Sequence, residues 1–206
     1  MALGYLLGKI SARVLKTDVV VPAIFTLSVI SDIDFLLPLI EHRGPTHSII
    51  VAIIIFAPIL ATHRRKAVPY LVAFIHHPLL GDYMTGRGVQ LFWPITMGYY
   101  GIAIEDSLEI CLEWFLFATL VIVMLKTKDV ATLLQPKNSN IILTIPSFTV
   151  LLPSLLEFPL KVPSSLILPH AICLALFLVS LLEILCFFGK NWLGKQSSEN
   201  SQYMRY

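Results

Sequence analysis

Two polar stretches carry the residues that could do chemistry: SDIDFLLPLIEHRGPTHS at 31–48 and HHPLLGDYMTGRG at 76–88. The first holds Asp32, Asp34, His42, Arg43 and His47, and the second holds His76, His77 and Asp82. Imidazole suits zinc, iron and related ions, and carboxylates extend the range to magnesium and manganese, so together they form a ligand set for a divalent cation. Asp32 and Asp34 stand two residues apart at a helix end. A loosely turned backbone there lets both carboxylates reach one ion, and the helix dipole disfavours acids that lack such a partner.

His42 and His47 frame a turn in which Gly44 is free to take positive φ and Pro45 has φ fixed by its ring. Thr46 or Ser48 is placed to cap the helix that follows. His77 and Asp82 are five residues apart, about 500° of rotation on an ideal helix, so they share no face unless Pro78 introduces a kink or a π turn. His77 and Asp82 are the preferred pair, with His76 as the alternative to His77. For Arg43 two roles stand open: its planar fork holds a phosphate and the charge developing on it, or it pairs with Glu41 or Asp34.

Such a site needs helices to hold it, and the composition says where they sit. The 206 residues are 56% hydrophobic and 14% charged, against roughly 25% charged residues in a soluble domain, and mean hydropathy is +0.79. The expected fold is all-α, a polytopic membrane helix bundle forming one domain over 1–190, with a polar, mobile tail at 191–206. Apolar segments at about 18–31, 47–62, 67–81, 108–125, 140–157 and 165–188 predict about six transmembrane helices. Only the last reaches the roughly 20 residues of a full crossing without flanking help. The continuous apolar runs lack the alternation of a membrane barrel.

If the six alternate with the N-terminus inside, twelve of the fifteen basic residues fall on the cytoplasmic side. Arg43, Arg87 and Lys161 remain outside, which predicts a multi-pass cell-membrane protein with both termini cytoplasmic. The acids and histidines then gather at the outer face. Lys9, Arg13 and Lys16 follow the first apolar residues, the reverse of a signal peptide's order. Residues 1–16 are therefore expected to stay in the mature protein as an N-terminal interfacial helix, in which the Gly4/Gly8 spacing reads as coincidence rather than a packing seam.

Several other residues get quieter readings. Cys111, Cys173 and Cys186 lack metal or redox spacing and read as small buried hydrophobes. Trp93, Tyr99 and Tyr100 suit a headgroup-level belt, the sharper version being a re-entrant loop over the metal. Glu113 is deep enough to support the site from behind. His170 reads as a hydrogen-bonding residue of the bundle, with a further metal ligand as the alternative.

At SDIDFLLP, HRGPTHS and the segment from the histidine pair through GDYMTGRGVQLFWP, the sequence resembles the membrane-bound metal-dependent hydrolases, the LexA-binding, inner membrane-associated hydrolase family. The resemblance covers roughly residues 1–97 and is most specific at HRGPTHS. It implies Asp32, Asp34, His42, His47, His77 and Asp82 as metal ligands. The chain departs from the family pattern at Ser31, where proline is usual, and in the His77 to Asp82 spacing, one residue longer than the common one. The family's distant likeness to zinc-dependent phospholipases C and single-strand nucleases implies phosphoester hydrolysis.

The expected activity is a metal-dependent hydrolase using one or two divalent ions, zinc first, with manganese, magnesium or iron as alternatives. Asp34, Arg43 and Asp82 are its expected catalytic residues. Its expected partners are membrane lipids and a lipid-like or phosphoester substrate, and no nucleic acid, since topology accounts for the basic residues. The alternative is a non-catalytic membrane protein whose metal site is structural or transports the ion.

Overall fold

The computed structural model describes residues 1–37, 39, 41–84, 88–156 and 162–203. Pro38, Thr85, Gly86, Arg87 and Lys161, all used in the sequence reading, lie outside the described residues. The described residues are helical with no strand; Val89 and Tyr100 form one isolated antiparallel bridge.

Helix α1 (Ala2–Leu15) ends at Lys16, whose left-handed φ of 52° turns its N–H back onto the carbonyls of Ala12 and Arg13. Proline near the start launches α2 (Val21–Leu27), which gives way to a 3-10 turn over Ile30–Leu36 bearing Asp32 and Asp34. Ser48 caps α3 (Ile49–His63), its hydroxyl accepting from the N–H groups of Ile50 and Val51. After a tight basic corner comes α4 (Val68–His76), which continues as a π turn over His77–Gly81 and a 3-10 turn over Asp82–Met84. Then follow α5 (Asp106–Lys126), the short α6 (Asp129–Leu133), a composite helix over Asn138–Leu155 and the last helix, Ile167–Tyr203.

Among the described residues, three helices are long and apolar enough to cross a membrane: Asp106–Lys126, Asn138–Leu155 and Ser164–Lys190. The other three expected spans become α2, α3 and α4, with 7, 15 and 9 α-helical residues, the last extended to Met84 by its π and 3-10 turns, against the roughly 20 a crossing needs. The count of six therefore does not follow from helix lengths. Polar site residues truncate these elements, because α2 stops where the aspartate turn begins and α4 stops at the histidines. Lipid contact is nevertheless written on the surface: Ile53, Ile54 and Ile55 of α3, Phe115, Ile122 and Leu125 of α5, and Leu168, Leu182 and Leu185 of the last helix are all exposed. So continuous an apolar exterior is what a bilayer solvates and water does not.

Helix α1 does more than lie on an interface. Tyr5 is fully buried and stacks on Phe25 at 4.8 Å, which meets Phe177 edge-on at 5.1 Å. Its hydroxyl donates to buried Asp129, which also pairs with Lys9 Nζ at 2.8 Å. Gly4 and Gly8 form a real packing seam, contrary to the sequence expectation. A Cβ on Gly4 would lie 2.3 Å from His76 Cε1 and 2.4 Å from Ser28 Cβ, and one on Gly8 would press on Ile24 at 3.0 Å. Close backbone approach replaces the hydrophobic driving force that lipid cannot supply between helices.

Alanine at Gly4 is therefore expected to destabilise the protein by about 1–3 kcal/mol through overpacking, although alanine is the better helix former. Gly189 has open space around it, so Gly189→Ala serves as the control and should be neutral or slightly stabilising. Thermal unfolding of both variants in detergent checks this; equal melting temperatures would refute the seam.

Candidate metal centre

The π turn solves the spacing of His77 and Asp82. The Asp82 N–H bonds to the His77 carbonyl, five residues back, and this wider turn brings the two side chains onto one face. His77 Nε2 lies 3.1 Å from Asp82 Oδ2 and 3.2 Å from Asp32 Oδ1. His47 Nε2 lies 3.0 Å from Asp82 Oδ2 and 3.5 Å from Asp32 Oδ1. One donor atom from each of Asp32, His47, His77 and Asp82 can be chosen so that all lie within 4.8 Å of one another. A tetrahedral ion with bonds of about 2.0–2.1 Å has ligand-to-ligand edges of roughly 3.3–3.4 Å. The observed separations fit such an ion. His47 Nε2 is also buried and faces the carboxylates of Asp32 and Asp82, as a ligand atom of a shared cation would.

Asp34 and His42 stand to one side of these four. Thr46 Oγ1 donates to Asp34 Oδ2 at 2.9 Å and lies 3.0 Å from His47 Nδ1, while Asp34 Oδ2 lies 3.3 Å from that nitrogen. Asp34 also accepts from the Arg43 N–H at 3.3 Å and meets His42 Nδ1 at 3.1 Å. The carboxylate and hydroxyl thus hold the His47 proton on Nδ1 and leave Nε2 as the ligand atom, the usual outer-shell arrangement behind a metal histidine. Asp34, His42 and His47 make a second trio close enough for an ion, but it draws on the other nitrogen of the same ring. A neutral imidazole has only one lone pair in the ring plane to offer.

Electrostatics follow the geometry. Burial works against charge on Asp32, but the charge on His77 and contacts from His47 and His77 outweigh it and hold the carboxyl below its ordinary value. Asp34 is likewise kept well below the carboxylate range, burial being overcome by His42 and His47. Burial alone would deprotonate His47; the surrounding carboxylates of Asp32, Asp34 and Asp82 instead raise it to about 11. In the absence of an ion, a proton thus does the work of the cation.

The remaining sequence candidates sort cleanly. His76 is buried away from the cluster, its Nδ1 bound to the Ala73 carbonyl at 2.6 Å, and it packs under Gly4. Arg43, at positive φ, pairs through Nη2 with Asp82 Oδ1 at 3.1 Å rather than with Glu41 or Asp34. His170 bonds the Leu166 carbonyl within its own helix. Cys173 is buried as expected, whereas Cys111 and Cys186 are exposed. Glu109 and Glu113 of α5 line a cavity of about 470 Å³ that reaches His77 and Asp82, its other walls including Leu80, Met84, Ile104 and Phe115.

Sequence reading missed the clamp on the HRGPTHS turn. The Gln90 N–H donates to the Arg43 carbonyl at 3.0 Å, the Ile49 N–H to the Leu91 carbonyl at 3.0 Å, and Ser48 Oγ to the Trp93 carbonyl at 2.7 Å. The aromatic segment after residue 88 therefore secures the turn's backbone. Gln90 and Ser48 are both buried, and burial is not legible in residue types.

Substituting His77 by alanine is expected to abolish stoichiometric binding of a divalent ion, as is Asp82→Ala, whereas His76→Ala should retain it. Metal analysis of the purified proteins after dialysis distinguishes them. Retention by His77→Ala with loss in His76→Ala would reverse the assignment.

No curated protein and no solved structure matches the chain. A family model does, described as the YdjM inner membrane protein, over residues 1–158. That span holds every residue of the cluster and the elements that carry it, and the chain belongs to the YdjM inner membrane protein family.

Proposed function

We propose that this protein is a membrane-embedded metal-dependent hydrolase that cleaves a phosphoester of an amphipathic, lipid-like substrate. One observation carries the reading: the buried Asp32, His47, His77 and Asp82 cluster borders an apolar cavity of about 470 Å³ through His77 and Asp82. A structural ion is normally closed off by its ligands, whereas a catalytic one keeps an open approach. Zinc suits two imidazoles and two carboxylates at these separations best, with manganese, magnesium or iron accommodated by the same donors. Such an ion supplies Lewis acidity, which makes water a competent nucleophile near neutral pH and polarises a phosphoryl oxygen.

The protein's own groups divide the remaining work. Asp34, through Thr46, orients His47, a positioning role in place of the base chemistry expected of it. Arg43, held against Asp82, offers its guanidinium to the charge that develops on phosphorus. Walls at Leu80, Met84, Ile104 and Phe115 receive the apolar part of the substrate. The cluster lies at one end of α3 and α4, not strung along their length, which favours hydrolysis over ion transport.

A purified, zinc-loaded protein should hydrolyse a long-chain phosphoester in mixed micelles faster than a short-chain one. His47→Ala and Asp82→Ala should lose that activity, and Arg43→Gln should lower kcat by about 10²–10³-fold while metal content is kept. A loaded protein with no turnover across phosphoester classes, or one that passes zinc across vesicles, would sink the hydrolase reading.

We further propose that both termini are cytoplasmic and the cluster faces the opposite leaflet, from the twelve-to-three division of basic residues. A C-terminal reporter of the kind that works only outside the cytoplasm should be inactive; its activity would overturn this orientation and move the cluster to the inner face.

A further inference from the structure

At the far end of α3 from the metal cluster, a second polar site is built mainly from bases. The 15 residues of α3 separate the two by about 22 Å at 1.5 Å per residue. The corner between α3 and α4 brings His63, Arg64, Arg65 and Lys66 together with Lys16 and Thr17 from the end of α1, around a cavity of about 680 Å³. Lys16, Arg64, Arg65 and Lys66 have no acidic partner within ion-pair reach among the described residues, in contrast to Lys9 and Arg43. Thr17 Oγ1, on the cavity wall, is buried and makes no hydrogen bond.

Backbone geometry adds an independent observation. Lys16 and Arg64 both take positive φ, 52° and 47°. Glycine is the usual residue at such positions because a side chain is strained there. A lysine and an arginine thus stand at two turned corners of one cavity. Next to the cavity, Ile10 and Val14 on α1 and Ile59 on α3 are exposed, so the bases meet the boundary between apolar surface and water.

We propose that this cavity binds the headgroup phosphate of an anionic phospholipid, with the acyl chains running along Ile10, Val14 and Ile59. Arginine and lysine donate to the phosphate oxygens, and the Thr17 hydroxyl gains the acceptor it lacks. A soluble acidic partner would have no use for the exposed apolar border, which is why lipid is the favoured occupant. The site is independent of the metal cluster and of hydrolysis.

Full-length protein purified in neutral detergent is titrated with phosphatidylglycerol or phosphatidylcholine and the bound lipid counted by native mass spectrometry. Phosphatidylglycerol should bind at least tenfold more tightly. The combined Arg64→Gln, Arg65→Gln, Lys66→Gln variant should lose that preference, and Thr17→Val should weaken it, while both keep wild-type metal content and melting temperature in phosphatidylcholine. Equal binding of the two lipids overturns the proposal, as does an unchanged preference in the triple variant. Glycerol phosphate bound as tightly as the whole lipid would identify a soluble phosphate ligand and overturn the lipid assignment; capture of an acidic protein with no lipid preference would overturn it too.

Discussion

Three buried carboxylates converge on one imidazole, and the rest of the molecule is arranged to make that tolerable. An isolated buried carboxylate costs several kcal/mol and would neutralise or drag water inward. Asp32, Asp34 and Asp82 escape this by surrounding His47 and sharing the guanidinium of Arg43, the hydroxyl of Thr46 and the ring of His77. Removing the ring from the middle would leave like charges within a few ångströms of one another in a medium of low dielectric. A bound divalent cation answers the same electrostatic demand more completely than a proton does.

That demand explains features that look irregular in a membrane protein. Two aspartates on a 3-10 turn, a π turn after α4 and a capped turn before α3 are departures from helix that lipid would punish, because unpaired backbone groups find no water there. Each is buried or hydrogen-bonded here. The Ser48 cap, the bonds from Gln90 and Ile49 and the Asp82 N–H to His77 bond satisfy backbone groups while turning side chains toward the cluster. Shortening α2, α3 and α4 is the consequence, and the long α5 and last helix present the apolar exterior.

Charge is segregated along the same helices. The carboxylates, with His42, His47, His77 and Arg43, occupy one end of α3 and α4, and Arg64, Arg65 and Lys66 with His63 occupy the other, with α1 touching the first through Gly4 and the second through Lys16. Such a separation would attract across a short distance in a dry interior, so it persists only where each end faces its own compensation. At the cluster end this compensation comes from within the protein, through Arg43 and the imidazoles.

Much of the site was legible from residue types and spacing. Asp32, His47, His77 and Asp82 stand out because ionisable groups are rare in so apolar a chain, and Pro78 marked the place where helical register had to change. The helical class and the membrane setting followed from composition, which depends on transfer free energy and not on arrangement. Other properties depended on distance, which sequence does not carry. Only the tertiary structure decided that His77 enters the cluster while His76 packs under Gly4, since adjacent residues on a helix point about 100° apart. It also decided that Asp34 stands behind His47 and that Gly4 and Gly8 form a seam. The sequence by itself determined which groups must find partners in a low-dielectric interior; the fold decided which partner each one found, because that depends on how closely the backbones of α1, α2 and α4 could approach.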